Sequence, residues 1–135
     1  MADAVATQTI QEDGKTAIFR FTNVSDGSGE SAVNKIDVSS LNADPMTGKS
    51  CTSVTLQCIW YSTIGMGVKI FFDASTNVLA WELKADDART IDFTRFTGIP
   101  NNAGSGKTGD ILFTTVGHSS GDVYNVILQV KKNYD

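Results

Sequence analysis

Cysteine, proline and histidine are scarce in this 135-residue chain, at two, two and one. So few cysteines exclude a disulfide-stapled mini-domain, and a chain this long buries a sizeable core without staples. Cys51 and Cys58 stand seven positions apart. Along one extended strand that spacing puts them ~23 Å apart and on opposite faces, so they do not pair. No His or Cys cluster accompanies them as zinc ligands. Charge is sparse as well: 19% of residues are charged, the net is −4 and the basic residues are scattered. The basic footprint of a nucleic-acid binder is therefore missing. No stretch approaches the ~20 apolar residues of a membrane helix. The opening MADAVATQTI has neither the basic nor the apolar region of a signal peptide. The expectation is a protein made in the cytoplasm, with neither nucleic acid nor membrane as partner.

Sustained helical periodicity is also lacking, and a period of two takes its place. In KTAIFRFTNV, Ala17, Phe19 and Phe21 share one face while Arg20 and Thr22 share the other. TSVTLQCIWY sets Val54, Leu56, Cys58 and Trp60 against Thr55 and Gln57. GVKIFF aligns Val68, Ile70 and Phe72, and NVLAWEL aligns Leu79, Trp81 and Leu83. VYNVILQVKK aligns Tyr124, Val126, Leu128 and Val130. Such alternation marks antiparallel sheet with one face buried. Weaker runs over 5–10, 33–38, 90–93 and 110–116 raise the count to about nine strands, separated by turn-forming clusters. A short helical turn is expected at most over 86–89. The predicted fold is all-β: one domain over 1–135, an antiparallel β-sandwich or barrel-like sandwich, because each sheet must hide an apolar face. Residues 1–10 are small and β-compatible and can extend as an N-terminal arm. On this phase Trp60 and Trp81 belong to the core.

Chemistry is hard to find. NNAGSGKTGD ends like a nucleotide-binding P-loop, but Asn101 stands where the first glycine belongs. The following ILFTTVG reads as a strand, where phosphate binding needs a helix. A flexible polar loop between strands is the better reading. His118, in VGHSSGD, lacks the orienting carboxylate and nucleophile elbow of a hydrolase and reads as a solvated turn residue. In SDGSGES, Asp26, Ser28 and Glu30 alternate as weak calcium ligands sometimes do, yet Gly and Asp are also what a tight turn needs. Asp86 and Asp87 are adjacent and would point to opposite faces of a strand. No catalytic residue, cofactor site or metal site is predicted.

Two loops look like contact surfaces. STIGMG sets Ile64 and Met66 among glycines at a turn, and apolar residues at a loop tip suggest a partner. TRFTGIPNNAGSGKTG is about sixteen residues without evident structure and carries Arg95, Phe96 and Ile99, and loops that long are usually functional or disordered. Alternatively Ile64, Met66 and Phe96 fold back to plug the ends of the sandwich. Val5 and Ile10 are the contact residues of the N-terminal arm, which could add a strand to a neighbouring sheet.

FTNVSDGSGESAVNKIDVSSL and WYSTIGMGVKIFFDAST resemble the small all-β virion structural proteins of tailed bacteriophages, in particular head decoration or cement proteins. The resemblance covers Ala2 to about Val130. It implies a non-enzymatic module, made in the bacterial cytoplasm, that binds the major capsid protein or another virion protein on the capsid surface. It carries over no catalytic residue. Assembly as a dimer or trimer would multiply contacts through avidity. A tail, neck or fibre-associated module is the neighbouring reading. From a different class, a carbohydrate-binding module would display Trp60, Trp81 and Tyr61 as a stacking platform, against which the predicted inward phase of both tryptophans argues.

Overall fold

A computed structural model describes residues 3–134 and contains nine strands in two antiparallel sheets. The strands are β1 (Ala4–Glu12), β2 (Thr16–Val24), β3 (Val33–Ile36), β4 (Ser53–Ile64), β5 (Gly67–Phe72), β6 (Val78–Leu83), β7 (Ala88–Asp92), β8 (Ile111–Val116) and β9 (Val123–Asn133). One sheet has the order β1-β2-β9-β4-β7 and the other β3-β8-β5-β6. The all-β sandwich and all nine expected strands are present. The expected helical turn over 86–89 is not. Asp86 instead takes a left-handed conformation (φ 54°) and Asp87 leads directly into β7. The only helical pieces among the described residues are two 3-10 turns, at Val38–Ser40 and Thr94–Phe96.

The inward faces supply the core: Phe19 and Phe21 of β2, Ile70 and Phe72 of β5, Phe113 of β8, and Tyr124, Val126 and Leu128 of β9. Phe21 and Tyr124 both meet the Phe113 ring edge-on, at 5.2 and 5.8 Å, the geometry that aromatic quadrupoles favour.

β4 departs from the simple period. Leu56 pairs with Val130 and Cys58 with Gln129, so Gln57 is a β-bulge. Its carbonyl accepts from the Phe93 N–H at 2.8 Å. One extra residue reverses the side-chain phase. Val54 and Leu56 face inward before the bulge, Ile59 and Tyr61 after it, and Trp60 is carried to the outer face, half-buried. A second bulge opposite Ile70 and Phe71 affects β6. Leu79 is turned out and 48% exposed, and Trp81 sits at the sheet edge against Phe93, with ring centres 5.0 Å apart. Both tryptophan expectations are corrected, for different reasons: the bulge at Gln57 turns Trp60 outward, whereas Trp81 keeps its inward phase opposite the buried Ile70 but stays 36% exposed because β6 is an edge strand. The cysteines are free and buried, and Cys51 precedes β4 instead of sharing a strand with Cys58.

The segment expected as an N-terminal arm is the edge strand β1. Residues 4–12 pair with β2 from Ala4↔Val24 to Glu12↔Ala17. Both ends are also pinned. The Asp3 carboxylate accepts from the Asn23 amide at 3.0 Å and from the Asp26 and Gly29 N–H groups at 3.1 and 3.2 Å. Glu12 forms a 2.8 Å ion pair with Lys132, whose side chain is fully buried.

Candidate functional site

GSGKT forms no phosphate loop. Ser105 and Thr108 are tied to the β5–β6 turn, Ser75 N–H donating to the Ser105 carbonyl and Thr108 Oγ1 to Asp73 Oδ2 at 2.7 Å. β8 then starts at Ile111, so no helix N-terminus faces the loop. Lys107 is exposed.

The Asp26–Ser28–Glu30 alternation does not gather ligands. Ser28 turns back on Asp26, while Glu30 points inward. There the carboxylate accepts from Asn23 Nδ2 at 2.9 Å and Tyr124 Oη at 2.5 Å, and pairs with Lys35 Nζ at 2.5 Å. Both ion-pair side chains are almost wholly buried, at 4% and 6% exposure. Burial first, then the neighbouring Glu30 charge, pushes the Tyr124 hydroxyl well above its ordinary value. Among the described residues no group of three or more His, Cys, Asp or Glu side chains could hold a metal. His118 is half-buried rather than freely solvated: its Nδ1 lies 3.1 Å from Thr115 Oγ1, and its ring covers the backbone of Gly29, where a Cβ would collide with it. This whole cluster ties the 25–30 loop into the sandwich.

Asp86 and Asp87 divide their work. Asp86 accepts from the Gly65 N–H at 2.7 Å. Asp87 accepts from Tyr61 Oη at 2.8 Å and pairs with Arg89 at 3.1 Å, and the Tyr61 bond is the main cause holding its carboxyl below the usual range.

The expected contact residues separate. Met66 is completely buried beneath the β4–β5 corner, a correction to its reading as a contact, because Gly65 (φ 82°) turns the chain sharply enough to aim Met66 inward. Ile64, just before that corner, stays 60% exposed. Phe96 is 61% exposed, with its ring 6.1 Å from Phe93, and Arg95 beside it is exposed. Ile99 is half-buried and bridges Leu56, with both backbone bonds made. Val5 and Ile10 are 50% and 49% exposed on β1. Register brings Ile64 into one row with Val123, Val24 and Ala4 across the five-stranded sheet. Arg95, Phe96 and Ile99 lie on the β7–β8 connection beside β4 and join no such row.

Sequence reasoning missed what the bulge at Gln57 creates. On the outer face of the five-stranded sheet, Arg20, Ile127, Trp60 and Thr90 align across β2, β9, β4 and β7. The next row holds Thr22, Asn125, Ser62 and Ala88. All of these but Thr22 line a groove of about 510 Å³, within the ~300–1,000 Å³ usual for small-molecule sites. Trp60 and Ile127 are half-buried in it. The signal was present in the sequence as four consecutive apolar residues, Cys58 to Tyr61, a run that fits either phase. No protein-family model matches the chain, and no curated protein matches it either.

Proposed function

We propose that this chain is a virion structural protein, a decoration or cement protein that docks on the outside of an assembled bacteriophage capsid. The observation that carries the reading is β1. It is a nine-residue edge strand with every residue from Ala4 to Gln11 exposed and no charge before Glu12. Edge strands are normally shortened or charged to prevent pairing with other chains. The other edges here follow that practice: β3 has four residues, β7 has five including Arg89 and Asp92, and β6 carries Glu82. β1 has a bulge at Ile10, but its regular, uncharged stretch from Ala4 to Thr9 suits strand addition to a partner. Val5, Ile10, Val24 and Ile64 add exposed apolar surface beside it, each worth ~1.5–3 kcal/mol if fully desolvated. Those gains must exceed the loss of rigid-body freedom, several kcal/mol or more. Repetition over a shell, or association as a dimer or trimer, multiplies them. This role needs no catalytic step, cofactor or metal, and it places the protein on the virion.

The test is co-sedimentation of the purified chain with assembled shells. The parent is expected to pellet with shells. Thr7→Lys with Thr9→Lys, which charges the edge, and separately Ile64→Ser, are expected to stay in the supernatant while melting like the parent. Variants that fold and bind shells as the parent does would refute this contact surface. A parent that ignores shells yet enters tails would move the protein to the tail.

A further inference from the structure

The groove around Trp60 has hydrogen-bonding capacity that the fold leaves unused. Among the described residues, the side chains of Ser62, Thr90 and Asn125 make no hydrogen bond. Arg20 has one, a long 3.4 Å bond to Gln8 Oε1, leaving most of its five donors unspent. Adjacent strands lie ~4.8 Å apart and alternate residues along one strand ~7 Å apart. Thr90 is therefore one strand from Trp60, Ser62 one outward position along the same strand, Asn125 diagonal to it and Arg20 two strands away, all within about 10 Å of the indole position. On β7 the outward residue after Thr90 is the small Ala88, opposite Ser62, which keeps that side of the groove shallow.

Charge narrows the choice of ligand. The chain carries a net −4, yet the charged residues lining the groove are Arg20 and Arg89. Of the nearby carboxylates, Asp87 is engaged by Tyr61 and Arg89, and Asp92 is turned to the Thr94 hydroxyl and N–H. Arg89 is balanced by Asp87, so among the described residues Arg20 is the one charged lining residue without an ion-pair partner.

We propose that this groove binds an acidic saccharide. The apolar face of one sugar ring stacks on Trp60, its hydroxyls bond to Ser62, Thr90 and Asn125, and a carboxylate meets the Arg20 guanidinium. The inference does not depend on the shell-binding role, although the proposed shell contacts Val24 and Ile64 lie on the same outer face, one row beyond Asn125 and Ser62.

The probes are oligogalacturonate, oligomannuronate and sialyllactose, with the methyl-esterified form of each as the uncharged control. They are titrated against the Trp81→Phe variant, in which Trp60 is the sole tryptophan and is excited selectively at the red edge. At least one acidic probe is expected to change the Trp60 emission with saturation at millimolar concentration or below, and its ester to bind several-fold more weakly. Trp60→Ala, followed by calorimetry, is expected to weaken binding about tenfold or more, a change of ~1.4 kcal/mol. Arg20→Gln and Asn125→Ala, both at exposed positions, are expected to weaken it several-fold with unchanged melting temperature, which keeps the test valid if Trp60→Ala folds poorly. No saturable binding by any acidic probe would overturn the proposal, as would equal binding of acid and ester. Loss of shell binding in Arg20→Gln without any sugar binding would assign the groove to the shell instead.

Discussion

Two polar regions of this sandwich, both beside β9, behave in opposite ways. Inside, Asn23, Tyr124 and Lys35 all converge on the Glu30 carboxylate, and among the described residues Asn23 Oδ1 is the one buried side-chain atom of this set without a partner. Outside, Ser62, Thr90 and Asn125 sit around a half-buried indole and bond to no described residue. Polar groups removed from water must satisfy each other, so the inner set is committed to structure. Polar groups left in water retain their capacity for a ligand. The difference commits the first set to stability and leaves the second available for the proposed binding.

The largest effect should come from breaking the inner set. Lys35→Met leaves the Glu30 carboxylate buried without its countercharge, a loss of ~3–5 kcal/mol. Denaturant melts check it, and the double variant with Glu30→Gln should recover a substantial part. A loss under about 1 kcal/mol would mean that water reaches the pair.

Next comes the phase reversal on β4, which separates core from groove. Ile59→Ala should cost ~2–5 kcal/mol through the cavity it opens, and Trp60→Ala clearly less. The opposite order would place Trp60 inside and remove the groove.

Tyr124→Phe removes one bond to a charged acceptor and should cost ~1.5–3 kcal/mol. Acid titration probes the same corner. Partial burial acts to raise the Asp3 carboxyl, but bonds from Asn23, Asp26 and Gly29 outweigh it and hold the group at about 2, below an ordinary 3.8. A folded value below the unfolded one gives stability that is present above about pH 4 and lost as pH falls toward 2. Asp3→Asn should flatten that part of the acid-unfolding profile. The smallest effects belong to the groove, where Thr90→Ala and Asn125→Ala should each change stability by no more than ~0.5 kcal/mol.

Strand number, strand position and the sandwich were legible because the two-residue period survives wherever one face is buried. β2, β5 and β9 keep one phase throughout, and Phe21, Ile70 and Leu128 fall in the core as their spacing predicts. The site was much less legible. Ile64 and Met66 share the same local sequence signal, yet one is exposed and the other fully buried. The corner at Gly65, held by the Asp86 carboxylate from the β6–β7 turn, decides between them.

The sequence by itself determined the alternation, the turns and thus a two-sheet β fold, since these depend on side chains a few residues apart. Tertiary structure alone decided which way Trp60 faces. Leu56 opposes Val130 and Ile59 opposes Leu128 only if Gln57 bulges, and the bulge is held by Phe93, far away in the chain. Register is a property of paired strands, and one residue of slip exchanges core for surface.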